Sequence, residues 1–326
     1  MRNQPFYHLR PNKNIDRFLF LQTLIGLSSE MPISKYQYTG FGSYLFDDFK
    51  LLHETLYISK MISLEKDIKE YQRAVFNKPY KCIKVINIDS TEYILQLIID
   101  DKDKNIFWLD YVTPSELGTQ LSDYRMLLDK LNDGDVIRMT LNANPGTLGN
   151  SDKPDELKET RFQRLKELVP YEYFPPEASK EDMTHKKYPL LLLKILKAVT
   201  IQALVDSPPY SPNFMLPLFS SVYADGQQML TFTGLVLSSH DKEGKIKEAL
   251  ENYPHNNFSW DTPCKIEVPE LSINEITKIN KLLPYKKQGK QQLIKKFPFL
   301  FSENDLSVDS YLAYYKHYPH FHKISF

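Results

Sequence analysis

Residues 35–43 read KYQYTGFGS, and residues 61–65 read MISLE. Lys35 to Thr39 is a short strand-like run that ends at Gly40-Phe41-Gly42-Ser43, and a helical run, DDFKLLHETL, follows it. Glycines between a strand and a helix let the backbone approach a ligand closely, and the helix N-terminus favours an anionic group. Met61 to Leu64 reads as a second strand closed by Glu65. An acidic residue there, about twenty residues past the glycines, can accept both hydroxyl protons of a ribose. The competing reading is an α/β turn that holds no nucleotide, with Glu65 merely solvated.

The same alternation extends outward from this motif. Residues 15–27 carry apolar residues at helical spacing, with Asp16 in the expected first turn, and residues 67–76 read as a helix. Cys82 to Ile88 alternates like a third strand, residues 91–99 are helical, and Ile106 to Leu109 is a fully apolar fourth strand. A helix at 121–131 leads through Asp133-Gly134 to a fifth strand, Val136 to Leu141. Short apolar strands alternating with helices predict a parallel sheet covered on both faces. Leu216 to Tyr223 and Gln228 to Leu237 are two more strands, joined by Ala224-Asp225-Gly226. Asp-Gly between β-rich runs is a strong hairpin signal.

The stretch 142–212 is rich in proline and charge around a helix at 156–169 and an apolar helix at 189–204, and reads as an insertion or cap. The expected organisation is a domain over 1–240 and a helical, Lys- and Tyr-rich extension over 241–326. The extension holds a helix at 272–283 capped by Ser272 with Glu275 three residues on.

The 326 residues include 41 Lys+Arg and 41 Asp+Glu, so no global field draws the chain to nucleic acid or anionic lipid. Cys82 and Cys264 form no CxxC pair, which fits a reducing compartment. The first residues show no apolar leader, and the longest apolar run, Leu190 to Leu193, is interrupted by Lys194 and Lys197. A cytoplasmic protein with no membrane contact is expected. His317, His320 and His322 cluster, but Pro319 breaks the helix that would align them, so no metal is expected.

Two further groups of residues carry chemistry. Asp110-Tyr111 follows the fourth strand, and ligands of open α/β sheets bind at carboxyl ends of strands. Asp110 can act there as a general base or orient a nucleophile; alternatively it caps the next helix. Arg10, Asn12, Lys13 and Arg17 stand just ahead of the first helix and could clamp a phosphate or carboxylate, the alternative being a solvated helix start. Ser207-Pro208-Pro209-Tyr210 matches the [D/N/S]PPY tetrapeptide of amino-methyltransferases, but it lies beyond the fifth strand and reads as a Pro-rich turn. No P-loop, GxSxG elbow or HExxH occurs, which leaves NTPase, α/β-hydrolase and zincin readings without support.

The motifs YTGFGS, MISLEKD, FNKPY and FWLDY, preceded by LRPNKNIDR, resemble class I S-adenosylmethionine (SAM)-dependent methyltransferases. More narrowly they resemble a group of bacterial O-methyltransferase-like proteins. The resemblance covers residues 7–145, with weaker support at 214–238. It implies an α/β fold: a Rossmann-like methyltransferase sheet, mostly parallel, of seven strands, edged by an antiparallel hairpin. It also implies SAM as cofactor, with Gly40, Phe41, Gly42 and Ser43 on its methionine side and Glu65 on the ribose. Asp89 or Ser90 would touch the adenine, and Asp110 and Tyr111 would face the transferring methyl. Two positions depart from the superfamily pattern. Tyr38 replaces the usual acidic residue two positions before the first glycine, and Tyr44 replaces the third glycine.

The expected function is methyl transfer to an oxygen or nitrogen of an unidentified acceptor, which could be a small molecule, a protein or a nucleic acid. The rival reading is a methyltransferase scaffold serving as a binding or regulatory subunit in a bacterial defence or toxin–antitoxin operon. It would act with an operon-encoded partner or as a homo-oligomer. A third reading places another adenine nucleotide in the same pocket.

Overall fold

The computed structural model describes residues 10–100, 102–151, 153–206, 213–285 and 287–319. Five βα units open the sheet. The strands are β1 (Gln37–Gly40), β2 (Lys60–Leu64), β3 (Ile83–Ile86), β4 (Asn105–Asp110) and β5 (Val136–Asn142). Helix α1 (Pro11–Leu27) precedes them, and α2 (Asp47–Leu56), α3 (Ile68–Asn77), α4 (Ser90–Gln96) and α5 (Leu117–Leu128) alternate with them. Two long strands follow, β6 (Phe214–Asp225) and β7 (Gln227–Leu237), with Gly226 between them at φ +103°, a left-handed conformation that a side chain would strain.

The strand order is β3-β2-β1-β4-β5-β7-β6-β8, where β8 is Cys264–Ile266. β1 to β5 pair in parallel and β7 runs antiparallel to β5. The Rossmann-like methyltransferase sheet expected from the resemblance is therefore present, with a correction: it has eight strands rather than seven. A three-residue edge strand leaves no periodicity for a sequence reading to detect. The chain runs outward from β1 through β2 to β3, then returns to place β4 on the other side of β1. The carboxyl ends of β1 and β4 thus flank the topological switch point, where open α/β sheets bind their ligands.

Central strands of such a sheet are buried on both faces, which explains why β4 (NIFWLD) and β5 (VIRMTLN) are almost unbroken in burial. On one face α5 presents Leu117, Leu121, Tyr124 and Leu128 at helical spacing, all buried. Beside it lies α7 (Tyr188–Asp206), within the stretch read as an insertion. Its Leu192, Leu193, Ile195, Leu196 and Val199 are fully buried, and Tyr124 and Thr200 join the two helices through a hydroxyl pair at 2.8 Å. Helix α7 belongs to the layer that covers the sheet. Each such Leu or Ile stabilises the native state by about 1.5–3 kcal/mol relative to exposure. In the same stretch, α6 is Pro154–Leu168.

The chain forms two compact units. One contains the described residues of Met1–Leu19, Tyr223–Gly226 and Lys265–Phe326; the other contains Phe20–Val222 and Gln227–Cys264. The C-terminal part of the first unit holds α9 (Ile273–Asn280), α10 (Gly289–Lys296) and α11 (Leu306–Tyr314); α8 (His240–Ala249) belongs to the second. The Ser272/Glu275 capping box forms as expected. Among the described residues no helix is long and apolar enough to cross a membrane.

Candidate functional site

The register of the sheet sets the site. Gly40 on β1 pairs with Ser63 on β2 and with Trp108 on β4. Glu65 and Asp110 each lie two residues beyond those partners, so both stand just past the end of β1, one on either side. Neighbouring strands are about 4.8 Å apart, which separates the two backbones by about 10 Å across the switch point.

The loop over this gap is built for close approach. Gly42 donates its N–H to Ser63 Oγ at 3.1 Å, and a Cβ on Gly42 would meet that Oγ at 2.6 Å and the Phe46 ring at 2.8 Å. Only hydrogen fits. Ser43 and Phe46 take left-handed φ values of +52° and +54°, so the turn is made by non-glycine residues and the glycine supplies space. The loop then enters α2, whose first turn carries Asp47 and Asp48. Tyr38, in place of an acidic residue, is buried edge-on to Phe49 with centroids 4.8 Å apart. Tyr44 lies under the Arg73 guanidinium, 3.3 Å from the ring centroid.

Glu65 is half-buried beside this loop, and its carboxylate accepts a long hydrogen bond from Asp67 N–H at 3.4 Å. Burial raises its pKa, as do the neighbouring Glu70 and Asp67 carboxylates, against the Asp67 and Lys66 N–H groups that lower it. A carboxylate so placed suits two hydroxyl donors, the diol of a ribose, which would restore the hydrogen bonds that burial removed. Asp89 has a structural task as N-cap of α4, accepting from Thr91 N–H at 2.9 Å, with Lys66 Nζ 3.9 Å away.

A network that the sequence did not reveal joins the ends of β3 and β4. Asp123 on α5 is buried and accepts hydrogen bonds from Ser90 Oγ (2.9 Å), Thr91 Oγ1 (2.7 Å) and Tyr111 OH (2.5 Å). Tyr111 also reaches Ser90 Oγ at 3.1 Å. Burial, then the Asp123 charge, pushes the Tyr111 phenol well above its ordinary pKa, so it stays protonated and donates. Its ring meets that of Phe41 at 5.5 Å. Tyr111, Phe41 and Ser90 are thereby fixed around the same gap.

Asp110 is the last residue of β4, paired in register with Thr140, whose Oγ1 accepts from Trp108 Nε1 at 3.0 Å. It does not cap the next helix. The N-cap position of α5 is Glu116, after a 3-10 turn at Pro114–Glu116, and it makes no side-chain cap hydrogen bond. The structure thus brings Gly40, Phe41, Gly42, Ser43, Glu65, Asp89, Ser90, Asp110 and Tyr111 to one end of the sheet, and adds Ser63, Thr91 and Asp123.

Arg10, Asn12, Lys13 and Arg17 belong to the other unit. The helix begins earlier than expected, at Pro11, so Asn12, Lys13 and Arg17 lie inside it and Asp16 is no longer in its first turn. The start of α1 is buried rather than solvated: Asn12, Lys13 and Arg17 are all under a tenth exposed. Asn12 Nδ2 donates to Ala224 O and Asp225 Oδ1, both at 3.0 Å, and its Oδ1 accepts from Val268 N–H at 2.9 Å. That side chain ties three segments of its unit together.

Ser207-Pro208-Pro209-Tyr210, His320 and His322 lie outside the described residues. Among the described residues no group of three His, Cys, Asp or Glu side chains could hold a metal ion.

A family model described as "Putative O-methyltransferase" matches residues 5–326, nearly the whole chain. No curated protein matches it. Similar solved structures include an O-methyltransferase from Bacillus cereus in complex with S-adenosylhomocysteine (12% identity, 69% of this chain, 81% of that chain, TM-score 0.38). They also include the N-methyltransferase NodS from Bradyrhizobium japonicum (10% identity, 70% and 97% covered, TM-score 0.37). Against a chain of a fibrillarin/Nop5p complex the identity is 9%, with 41% of this chain covered and a TM-score of 0.28. There the chain spans 62% of its relative's length, less than two thirds.

Proposed function

The chain belongs to the family described as "Putative O-methyltransferase", and from that membership and the geometry we propose that it is a SAM-dependent methyltransferase acting on an oxygen of an unidentified acceptor. The observation that carries the reading is the half-buried carboxylate of Glu65 at the end of β2, beside the Gly40–Ser43 loop that follows β1, at the end of the sheet where the strand order reverses. Glu65 would hold the ribose hydroxyls, the Gly40–Ser43 loop the methionine portion, and Ser90 with the Phe41–Tyr111 rings the adenine side.

When bound, SAM supplies a methyl carbon activated by its sulfonium. The chain's own contribution is alignment, and orientation is the largest part of what such a transfer needs. Asp110, at the end of β4, would take the proton from an acceptor hydroxyl. Tyr111 cannot share that task, since its protonated hydroxyl is already given to Asp123. Its ring, held by Asp123 and set against Phe41, serves the adenine side instead.

A thermal-shift series with SAM, S-adenosylhomocysteine, NAD and ATP tests the assignment, because a ligand bound only by the native state raises the melting temperature. The two adenosyl-sulfur ligands should raise it and the other two should not. A shift with NAD or ATP alone would overturn the cofactor.

A further inference from the structure

The chain is formally neutral, yet residues 276–302 contain seven lysines and no Asp, Glu or Arg, which leaves a net −7 on the rest. This stretch runs from within α9 through α10 in the smaller unit. Lys278, Lys281, Lys287, Lys295 and Lys296 are exposed, and Lys290 pairs with Asp309 at 2.6 Å. Buried residues anchor the segments that carry them: Ile276 and Ile279 on α9, Leu293 on α10 and Phe297 just after it. Exposed like charges this dense along a folded segment repel one another, and a polyanion relieves that repulsion.

A second feature lies in the same stretch. A cavity of about 300 Å³ is lined by Pro284, Tyr285, Lys287, Gln288, Leu312 and Tyr315, among others. That is the low end of the size range of ligand pockets, about 300–1,000 Å³. Two phenol rings provide flat faces for a nucleobase, Gln288 an amide for its polar edge, and Lys287 a charge for the attached phosphate. Just beyond α10, Phe299 is 75% exposed and offers a further stacking face.

We propose that Lys278, Lys281, Lys287, Lys295 and Lys296, with the Tyr285–Tyr315 cavity, form a binding surface for single-stranded nucleic acid, the lysines on its phosphates and one unstacked base in the cavity. An anionic membrane fits less well. An interfacial helix needs a free apolar face, and α10 is eight residues long with Leu293 buried inside its own unit. A duplex fits less well because its bases are not splayed out to enter a cavity. The inference does not depend on the methyltransferase reading.

Fluorescence anisotropy of the full chain with a labelled single-stranded RNA of about twelve nucleotides tests it, a length within the footprint of single-strand binders. With five phosphates neutralised, log K should fall with log salt at a slope of about −3.5, so affinity should drop about 100-fold between 50 and 200 mM KCl. Lys295→Glu/Lys296→Glu should weaken binding at least tenfold and flatten the slope by about two phosphates' worth, whereas Lys295→Arg/Lys296→Arg should keep both. Tyr285→Leu, with a melting temperature measured beside it, should weaken the single strand and leave a duplex of equal length unchanged. Four results would overturn the proposal. They are no binding by folded protein, binding insensitive to the paired glutamates, a duplex bound as tightly as the single strand, and stronger partition onto phosphatidylserine vesicles than onto RNA.

Discussion

Replacing Asp123 tests the part of the site that only the fold reveals. Its carboxylate takes three hydroxyl donors, from Ser90, Thr91 and Tyr111, at 2.9, 2.7 and 2.5 Å. Asp123→Leu removes the acceptor. Tyr111 can then turn to Ser90 Oγ, already 3.1 Å away, which leaves two part-buried hydroxyls without an acceptor. At about 1–3 kcal/mol each that is about 2–6 kcal/mol, reduced by the relief of no longer burying a charge, so about 2–4 kcal/mol of stability should be lost. Asp123→Asn keeps the shape and one accepting oxygen and should cost about 1–2 kcal/mol. The pairwise term is isolated by a double-mutant cycle of Asp123→Asn with Tyr111→Phe in urea unfolding. A charge-assisted bond at this distance predicts a coupling of about 1–2 kcal/mol, within the usual range for contacting residues. A coupling below about 0.5 kcal/mol, the scatter expected of independent sites, would refute the claim that Asp123 fixes Tyr111.

Other consequences follow from the same contacts. Gly42→Ala places a Cβ 2.6 Å from Ser63 Oγ, and overpacking there should destabilise the protein by about 1–3 kcal/mol and weaken SAM binding; a neutral variant would show that the loop has room. Cofactor affinity should fall as pH drops through the raised pKa of Glu65, because ribose hydroxyls need the carboxylate, and Glu65→Gln should remove that dependence in a pH series of titrations. At the opposite end of β5, burial raises the Asp135 pKa to about 6 from 3.8, against the Asn132 and Asn105 N–H groups it accepts from. Above that value the charged form is buried in the native state at full cost. As pH falls from about 7 to 4 the native state takes up a proton that the unfolded chain does not, and stability should rise by about 3 kcal/mol from this group. Asp135→Asn should flatten that part of the urea-unfolding pH profile; an unchanged slope would place the proton elsewhere.

The local signals that fixed the sheet were strong ones. KYQYTGFGS, MISLE and FWLD marked strand ends within one or two residues, and Asp-Gly at 225–226 marked the hairpin. Each is a matter of backbone preference or burial period, which neighbours in sequence decide. What escaped was decided by neighbours in space. Asp123 reads as one polar residue in LSDYRMLL until α5 is laid against the ends of β3 and β4. Asn12 reads as half of a clamp until Asp225 and Val268 arrive from more than two hundred residues away. Asp110 could be taken for a cap because nothing local says that a 3-10 turn and Glu116 intervene. The apolar run of α7 carried its own burial, but a proline- and charge-rich surround disguised it as an insertion.

The central claim is that Glu65 and the Gly40–Ser43 loop hold the adenosyl and methionine parts of SAM. Isothermal titration of the folded wild-type chain and of Glu65→Ala with S-adenosylhomocysteine measures it most directly. Two hydroxyl bonds to a charged acceptor contribute on the order of 2–4 kcal/mol. The account predicts one-site binding to wild type and a loss of more than tenfold in Glu65→Ala, with the fold retained. No heat of binding to well-folded wild type, or equal affinity in the two proteins, would contradict it.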